Sequence, residues 1–195
     1  MKKDIILAGV GGQGILTIAA AIGLAAVEAG MFLKQAEVHG MSQRGGDVQS
    51  NLRFADKEVA SDLIPFGQAD MIISVEPMES LRYLPMLHKD GWVITNTQTF
   101  VNISNYPAKE DLMAEIGKIE KHVAMDAEHM AKELGSVRAA NMVILGAATP
   151  FLGLDYGLLE NALKTLFGKK GEKVLELNLA AMKAGYDLAM EKVNS

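Results

Sequence analysis

The sequence contains no cysteine. That excludes disulfides, thiolate nucleophiles, zinc–thiolate sites and cysteine-ligated iron–sulfur clusters within the chain. Like charges are not clustered: the net charge of -5 is dispersed along 195 residues, so neither nucleic acid nor a membrane surface is an expected partner. The apolar stretch from Ile15 to Val27 is too short to span a bilayer and suits a buried core helix. Lys2 and Lys3 ahead of an apolar run imitate a secretory leader. Asp4 breaks that transition, and Gly9, Gly11, Gly12, Gln13 and Gly14 stand where a leader's core would be uniformly apolar. A cytoplasmic protein is expected. The P-loop, the nucleophile elbow, the H-E-x-x-H pair and the Gly-Asp-Gly…Asn thiamine motif are missing too. His122 and His129 lack the spacing of a metal pair, and no metal site is expected.

What is present is the composition of an ordinary globular chain, 49% hydrophobic and 22% charged. Strand-like runs at Ile5–Val10, Phe32–Val38, Val48–Phe54, Asp70–Val75, Trp92–Asn96 and Lys121–Met125 alternate with other segments. A helix from Gly14 to Ala29 places Ile15, Ile18, Ile22 and Ala26 on one face. Pro77 opens a helix expected to end near Leu87, with His88 as a cap, and Asp90-Gly91 is a turn into the next strand. An irregular stretch around Pro107 follows. Helices are expected at Asp126–Leu134, Ala139–Ala148, Tyr156–Phe167 and Glu172–Lys192. The pattern predicts one domain over residues 1–195 in the α/β class. It is a three-layer Rossmann-like arrangement: a mostly parallel sheet, helices on both faces and a helical C-terminal third.

Gly9, Gly11 and Gly14 satisfy the G-x-G-x-x-G spacing of a dinucleotide-binding turn, with a strand before and a helix after. Glu37 follows near the place of a ribose-binding acidic residue. Backbone amides at such a turn can hold an anion, and Gly12 and Gln13 stand at its mouth. That pattern alone supports a stand-alone NAD(P)-binding oxidoreductase or a nucleotide-binding regulatory module. It is equally what any sharp strand-to-helix turn requires.

The second glycine segment, Glu-Val-His-Gly-Met-Ser-Gln-Arg-Gly-Gly from Glu37 to Gly46, competes with that reading. His39, Ser42, Gln43 and Arg44 crowd four hydrogen-bonding side chains between glycines, and Arg44 has the fork that clamps a carboxylate or phosphate. A partner-facing loop explains so many glycines better than a Glu37–His39–Ser42 triad, because adjacency in sequence is not triad geometry. Asp70, Glu76, Glu79 and Asp126 lie near strand ends as capping or solvated carboxylates. Asn141 is placed to cap a helix or hold a backbone.

With these two segments, and with Asp70–Pro77, Gly91–Asn96 and Asn141–Gly146, the sequence resembles the gamma-type subunits of 2-oxoacid:ferredoxin oxidoreductases. Among them it is most similar to the small beta-type subunits of the indolepyruvate enzymes. The resemblance implies CoA-dependent oxidative decarboxylation of an aryl 2-oxoacid, giving an acyl-CoA and CO2 and reducing ferredoxin. It implies a larger alpha subunit that carries the thiamine diphosphate and iron–sulfur clusters, CoA as co-substrate, no cofactor on this chain alone and no activity without the partner. Gly11, Gly12, Gln13, Gly14, His39, Ser42, Gln43 and Arg44 become candidates for ligand or interface contact, with no catalytic residue assigned.

Overall fold

The apolar run near the N-terminus folds as a strand closed in on both faces, which is why it shows no polar alternation. In the computed structural model, which describes residues 1–39 and 45–194, β1 (Lys2–Val10) is buried from Asp4 onward. Ile5 and Leu7 point into one core, Ile6 and Ala8 into a second, smaller one. The helix that follows, α1 (Ile15–Glu28), buries Ile15, Ile18, Ile22 and Ala26 as their spacing predicts.

The chain then departs from a simple strand–helix–strand crossover. β2 (Phe32–His39) does not join β1 but pairs antiparallel with β3 (Asp47–Ala55), and β3 pairs antiparallel with β1. Parallel pairing carries the sheet the other way through β4 (Ala69–Ser74), β5 (Leu87–Asn96) and β6 (His122–Met125). The strand order is β2-β3-β1-β4-β5-β6, mostly parallel with an antiparallel hairpin at one edge.

Several boundaries differ from the sequence expectation. α2 (Pro77–Arg82) is short: Pro85 has no N–H to bond the Leu81 carbonyl and its ring crowds that carbonyl, and a single tight turn over Leu84–Met86 leads into β5. Asp90 and Gly91 are therefore not a turn before the strand. They form a bulge inside it, where Ala69 pairs with Leu87 but Met71 with Trp92. His88 lies in that strand rather than at a helix end. A further helix, α3 (Lys109–Gly117), occupies part of the stretch expected to be irregular, opening with Glu110 and Asp111 in its first turn and burying Leu112 and Ile116.

α4 (Ala127–Glu133) starts on Asp126, whose carboxylate accepts the His129 amide at 2.8 Å. α5 (Ala140–Leu152) runs through Pro150, past the expected end at Ala148. α6 (Tyr156–Phe167) and α7 (Glu172–Asn194) complete the helical third.

One sheet face is covered by α1 and α5, with α6 packed on α1 and α7 on α5; α2 and α3 lie on the other face. Trp92 of β5 stacks on Phe151 of α5 with centroids 3.9 Å apart. α5 and α7 approach backbone to backbone: a Cβ on Gly146 would stand 1.8 Å from the Met182 carbonyl oxygen, and one on Gly185 1.9 Å from that of Val143. Beneath the hairpin, Arg53 grips the wholly buried Asp4 through two bonds of 2.8 and 3.0 Å. The same guanidinium donates to the carbonyls of Ser61 and Leu63, fixing the β3–β4 connection.

Candidate functional site

The antiparallel insertion of β3 decides where the glycine segments go. Register along β1 and β3 pairs Gly9 with Val48 and Val10 with Asp47. The residues just beyond, Gly11 and Gly46, therefore meet at the carboxyl end of β1, where the Gly11 amide donates to the Gly46 carbonyl at 2.9 Å. Two stretches far apart in sequence become neighbours on the edge of an open α/β sheet where ligands usually bind.

The first segment is a tight, internally braced turn. Gly12 and Gly14 adopt left-handed conformations, φ 101° and 82°. Gln13 turns inward, its Oε1 accepting the Val10 amide at 2.8 Å, so that oxygen closes the turn instead of facing a ligand. Asn141, at the start of α5, donates from Nδ2 to the Gly14 carbonyl at 3.2 Å, the backbone-holding role open to it.

A cavity of about 420 Å³ opens beside this turn, lined among others by Gly12, Gly14, Asn96, Arg138 and Asn141. The first turns of α1 and α5 have neither a side-chain cap nor an acidic residue. The lining carries both a cation, the exposed Arg138, and a carboxylate, Glu128, so its charge is mixed; at these helix starts the Thr17 and Ala140 amides already donate to the Gly14 and Val137 carbonyls. Asn96 builds its floor, accepting the Ala127 amide at 3.1 Å and donating to the Val75 carbonyl at 3.3 Å. A second, more apolar cavity of similar volume lies on the other side, lined by Val10, Gly11, Leu16, Glu37 and Val48. Gly12 and Gly14 border both.

The second segment is described at its two ends. His39 pairs through its backbone with Val48, and Gly45 is left-handed at φ 80°. Ser42, Gln43, Arg44 and the His39 side chain lie outside the described residues. The C-terminal end is held from three directions: Gly46 by Gly11, Gly45 by Asn102 Nδ2 donating to its carbonyl at 2.8 Å, and Asp47 by the Tyr83 hydroxyl at 3.2 Å.

Behind these contacts stands Glu76, wholly buried where β4 ends. One carboxylate oxygen caps α2 by accepting the Glu79 amide at 2.9 Å. The other accepts the Phe100 amide at 3.3 Å and the Tyr106 hydroxyl. Burial, and then Glu76 itself, pushes the Tyr106 hydroxyl well above the ordinary tyrosine range. Burial acts likewise on Tyr83, with Asp47 adding to it. Burial also raises the Glu79 carboxyl, partly offset by Arg82, which bonds it at 2.8 Å.

Sequence reasoning found the glycines, Asn141 and the capping role of Glu76. It missed Arg138, Asn102, Tyr83 and Tyr106, whose value comes only from contacts remote in the chain. The histidines stay apart: His122 Nδ1 lies 2.6 Å from the Ile119 carbonyl, and exposed His129 lies 3.5 Å from Glu133. Among the described residues no three histidine, aspartate or glutamate side chains are grouped to hold a metal, and no helix is long and apolar enough to cross a membrane.

Comparison with known proteins places this arrangement. Residues 4–188 match the pyruvate ferredoxin/flavodoxin oxidoreductase family. The indolepyruvate oxidoreductase subunit IorB of Pyrococcus horikoshii is 38% identical, over 100% of both chains. The gamma subunit of a keto/oxoacid ferredoxin oxidoreductase from Geobacter sulfurreducens superimposes with a TM-score of 0.71 at 23% identity, covering 97% of this chain and 99% of that one. A 2-oxoglutarate:ferredoxin oxidoreductase from Magnetococcus marinus, solved with 2-oxoglutarate, coenzyme A and succinyl-CoA, gives a TM-score of 0.76 at 23% identity. It covers 97% of this chain but 31% of the longer one.

Proposed function

The chain belongs to the pyruvate ferredoxin/flavodoxin oxidoreductase family, and on that premise we propose that it acts as the small subunit of an enzyme oxidising indolepyruvate or a similar aryl 2-oxoacid. The whole of residues 1–195 serves as one gamma-type domain in the cytoplasm. The larger alpha subunit holds the thiamine diphosphate and iron–sulfur clusters. This chain's own residues do not fit a cysteine-ligated cluster, since it has no cysteine. Thiamine diphosphate, when bound on the partner, supplies the carbanion stabilisation that lets CO2 leave; the electrons pass on to ferredoxin and CoA accepts the acyl group.

What this chain contributes is placement and enclosure. The observation that carries the reading is the joined pair of glycine segments, Gly11 against Gly46, beside a cavity lined by Gly14, Arg138 and Asn141. Backbone without side chains lets a partner or a ligand come close, and Arg138 in the cavity lining suits a phosphate of CoA. Closing such a face over a partner's site excludes water and orients the thiol of CoA for transfer. Gly11, Gly12 and Gly14 border that face, and the reading assigns contact roles to Ser42, Gln43 and Arg44, with Arg44 as a carboxylate or phosphate clamp.

Co-expression with the larger subunit tests this. The purified pair should reduce ferredoxin with indolepyruvate in a CoA-dependent way, whereas the isolated chain should be colourless and inactive. Ferredoxin reduction by the isolated chain, or no stable association with the larger subunit, overturns the reading.

A further inference from the structure

We propose that Glu76 is a positioning residue that sets the two glycine segments against each other, acting through residues 97–106. The inference rests on the reading that those segments form the functional face.

A helix cap needs one acceptor, and Glu76 spends one oxygen on the Glu79 amide. Its second oxygen serves residues 97–106 alone, through the Phe100 amide and the Tyr106 hydroxyl. A wholly buried carboxylate is costly unless its lone pairs are met, and here three donors meet them. The tethered segment has no regular secondary structure over residues 97–106. From its middle, Asn102 reaches the Gly45 carbonyl, and the next carbonyl, that of Gly46, receives the Gly11 amide. Glu76 is therefore linked to the glycine turn by a chain of three contacts, each with ordinary hydrogen-bonding groups.

The same segment exposes Phe100, Val101 and Ile103, at 44%, 71% and 42%. An untethered coil would be free to wander with such side chains; the tethers at Phe100, Asn102 and Tyr106 hold them in one arrangement. The ordering entropy is thereby met before a partner arrives. Glu76 thus organises the turn and the apolar strip beside it without touching either a ligand or the partner.

The amide of Gly11 is a built-in reporter, because its hydrogen bond is the last link. In the free subunit, Tyr106→Phe and Asn102→Ala each remove one link while sparing the cap on Glu79. Both should accelerate hydrogen exchange at Gly11 by about tenfold or more, with exchange at Ile72 in the central strand unchanged. Unchanged exchange at Gly11 in both variants overturns the proposal. Parallel acceleration at Ile72 also does, since it marks general destabilisation. In the co-expressed complex the same variants should weaken assembly about tenfold, and unaltered assembly sinks the functional half of the inference. Failure of the unmodified pair to assemble would strike the functional reading instead, leaving the Gly11 result to stand by itself.

Discussion

Asn141 and Gly14 are separated by most of the chain, yet the side-chain amide of one holds the backbone carbonyl of the other at 3.2 Å. The bond ties the first turn of α5 to the entry of α1 and fixes two walls of the cavity beside the glycine turn relative to each other. A Cβ on Gly14 would stand 2.4 Å from Asn141 Nδ2.

Gly14→Ala should therefore cost more than Gly12→Ala. Both positions are left-handed, which costs a side chain about 1–2 kcal/mol. Nothing lies within 4 Å of a Cβ on Gly12, so strain is its whole penalty. Gly14→Ala adds displacement of Asn141 and about 1 kcal/mol for the lost bond. Chemical denaturation of the two variants and of Asn141→Ala checks the order; equal losses at both glycines would contradict it.

NAD and NADP should bind more weakly than about 10 μM, equivalent to about 7 kcal/mol. In a dinucleotide fold the acidic residue ends the strand next to β1. Here β3 stands between them, and at about 4.8 Å per strand Glu37 starts roughly 10 Å from β1. Titration calorimetry decides this, and tight binding of either cofactor would restore the dehydrogenase reading.

Those two predictions turn on contacts the sequence shows only in part. Ile15, Ile18, Ile22 and Ala26 announced α1 because a buried helix face repeats locally, and β1 and β4 announced themselves as apolar runs. The identity of the strand beside β1 was not legible: β2 and β3 have similar local patterns, and pairing is settled by contacts between distant segments. For the same reason the glycine segments were visible one at a time while their contact was not. Pro77 correctly marked a helix start, but the length of α2 depended on Pro85 and on β5 pairing through the Asp90-Gly91 bulge.

Arg53→Met should destabilise the fold by about 3–5 kcal/mol, because it leaves buried Asp4 without its bidentate partner. Lys2, 2.7 Å from Asp4 but more than half exposed, cannot replace the two aligned bonds. Asp4→Asn with Arg53→Met should recover part of the loss. Thermal melts of Arg53→Met, Asp4→Asn and the double variant give the coupling, and strict additivity would show that the pair contributes nothing as a pair.

Alkali should loosen the subunit through Tyr106. Its folded hydroxyl resists ionisation, while an unfolded tyrosine loses its proton near pH 10. Between those two values the unfolded chain binds fewer protons than the folded one, so stability falls as pH rises. The melting temperature should drop as pH rises above about 10, and Tyr106→Phe should make that drop shallower. An identical slope in the variant would remove Tyr106 as a contributor.

Arg44→Lys should weaken assembly or turnover of the complex about ten- to a hundredfold, or about 1.5–3 kcal/mol, while the free subunit melts normally. Lysine keeps the charge and loses the fork. Full activity in the variant would make Arg44 a solvated residue, and a large fall in melting temperature would make it a structural one.

The bare contacts of Gly146 with the Met182 backbone and of Gly185 with the Val143 backbone bear on the order of events during synthesis. Only the backbone of α7 can fill the groove along α5, because a single added methyl on either glycine would strike a carbonyl. Until the ribosome has released residues 172–194, the face of α5 that meets Met182 has no covering. The larger core therefore closes only once α7 is available to pack on α5.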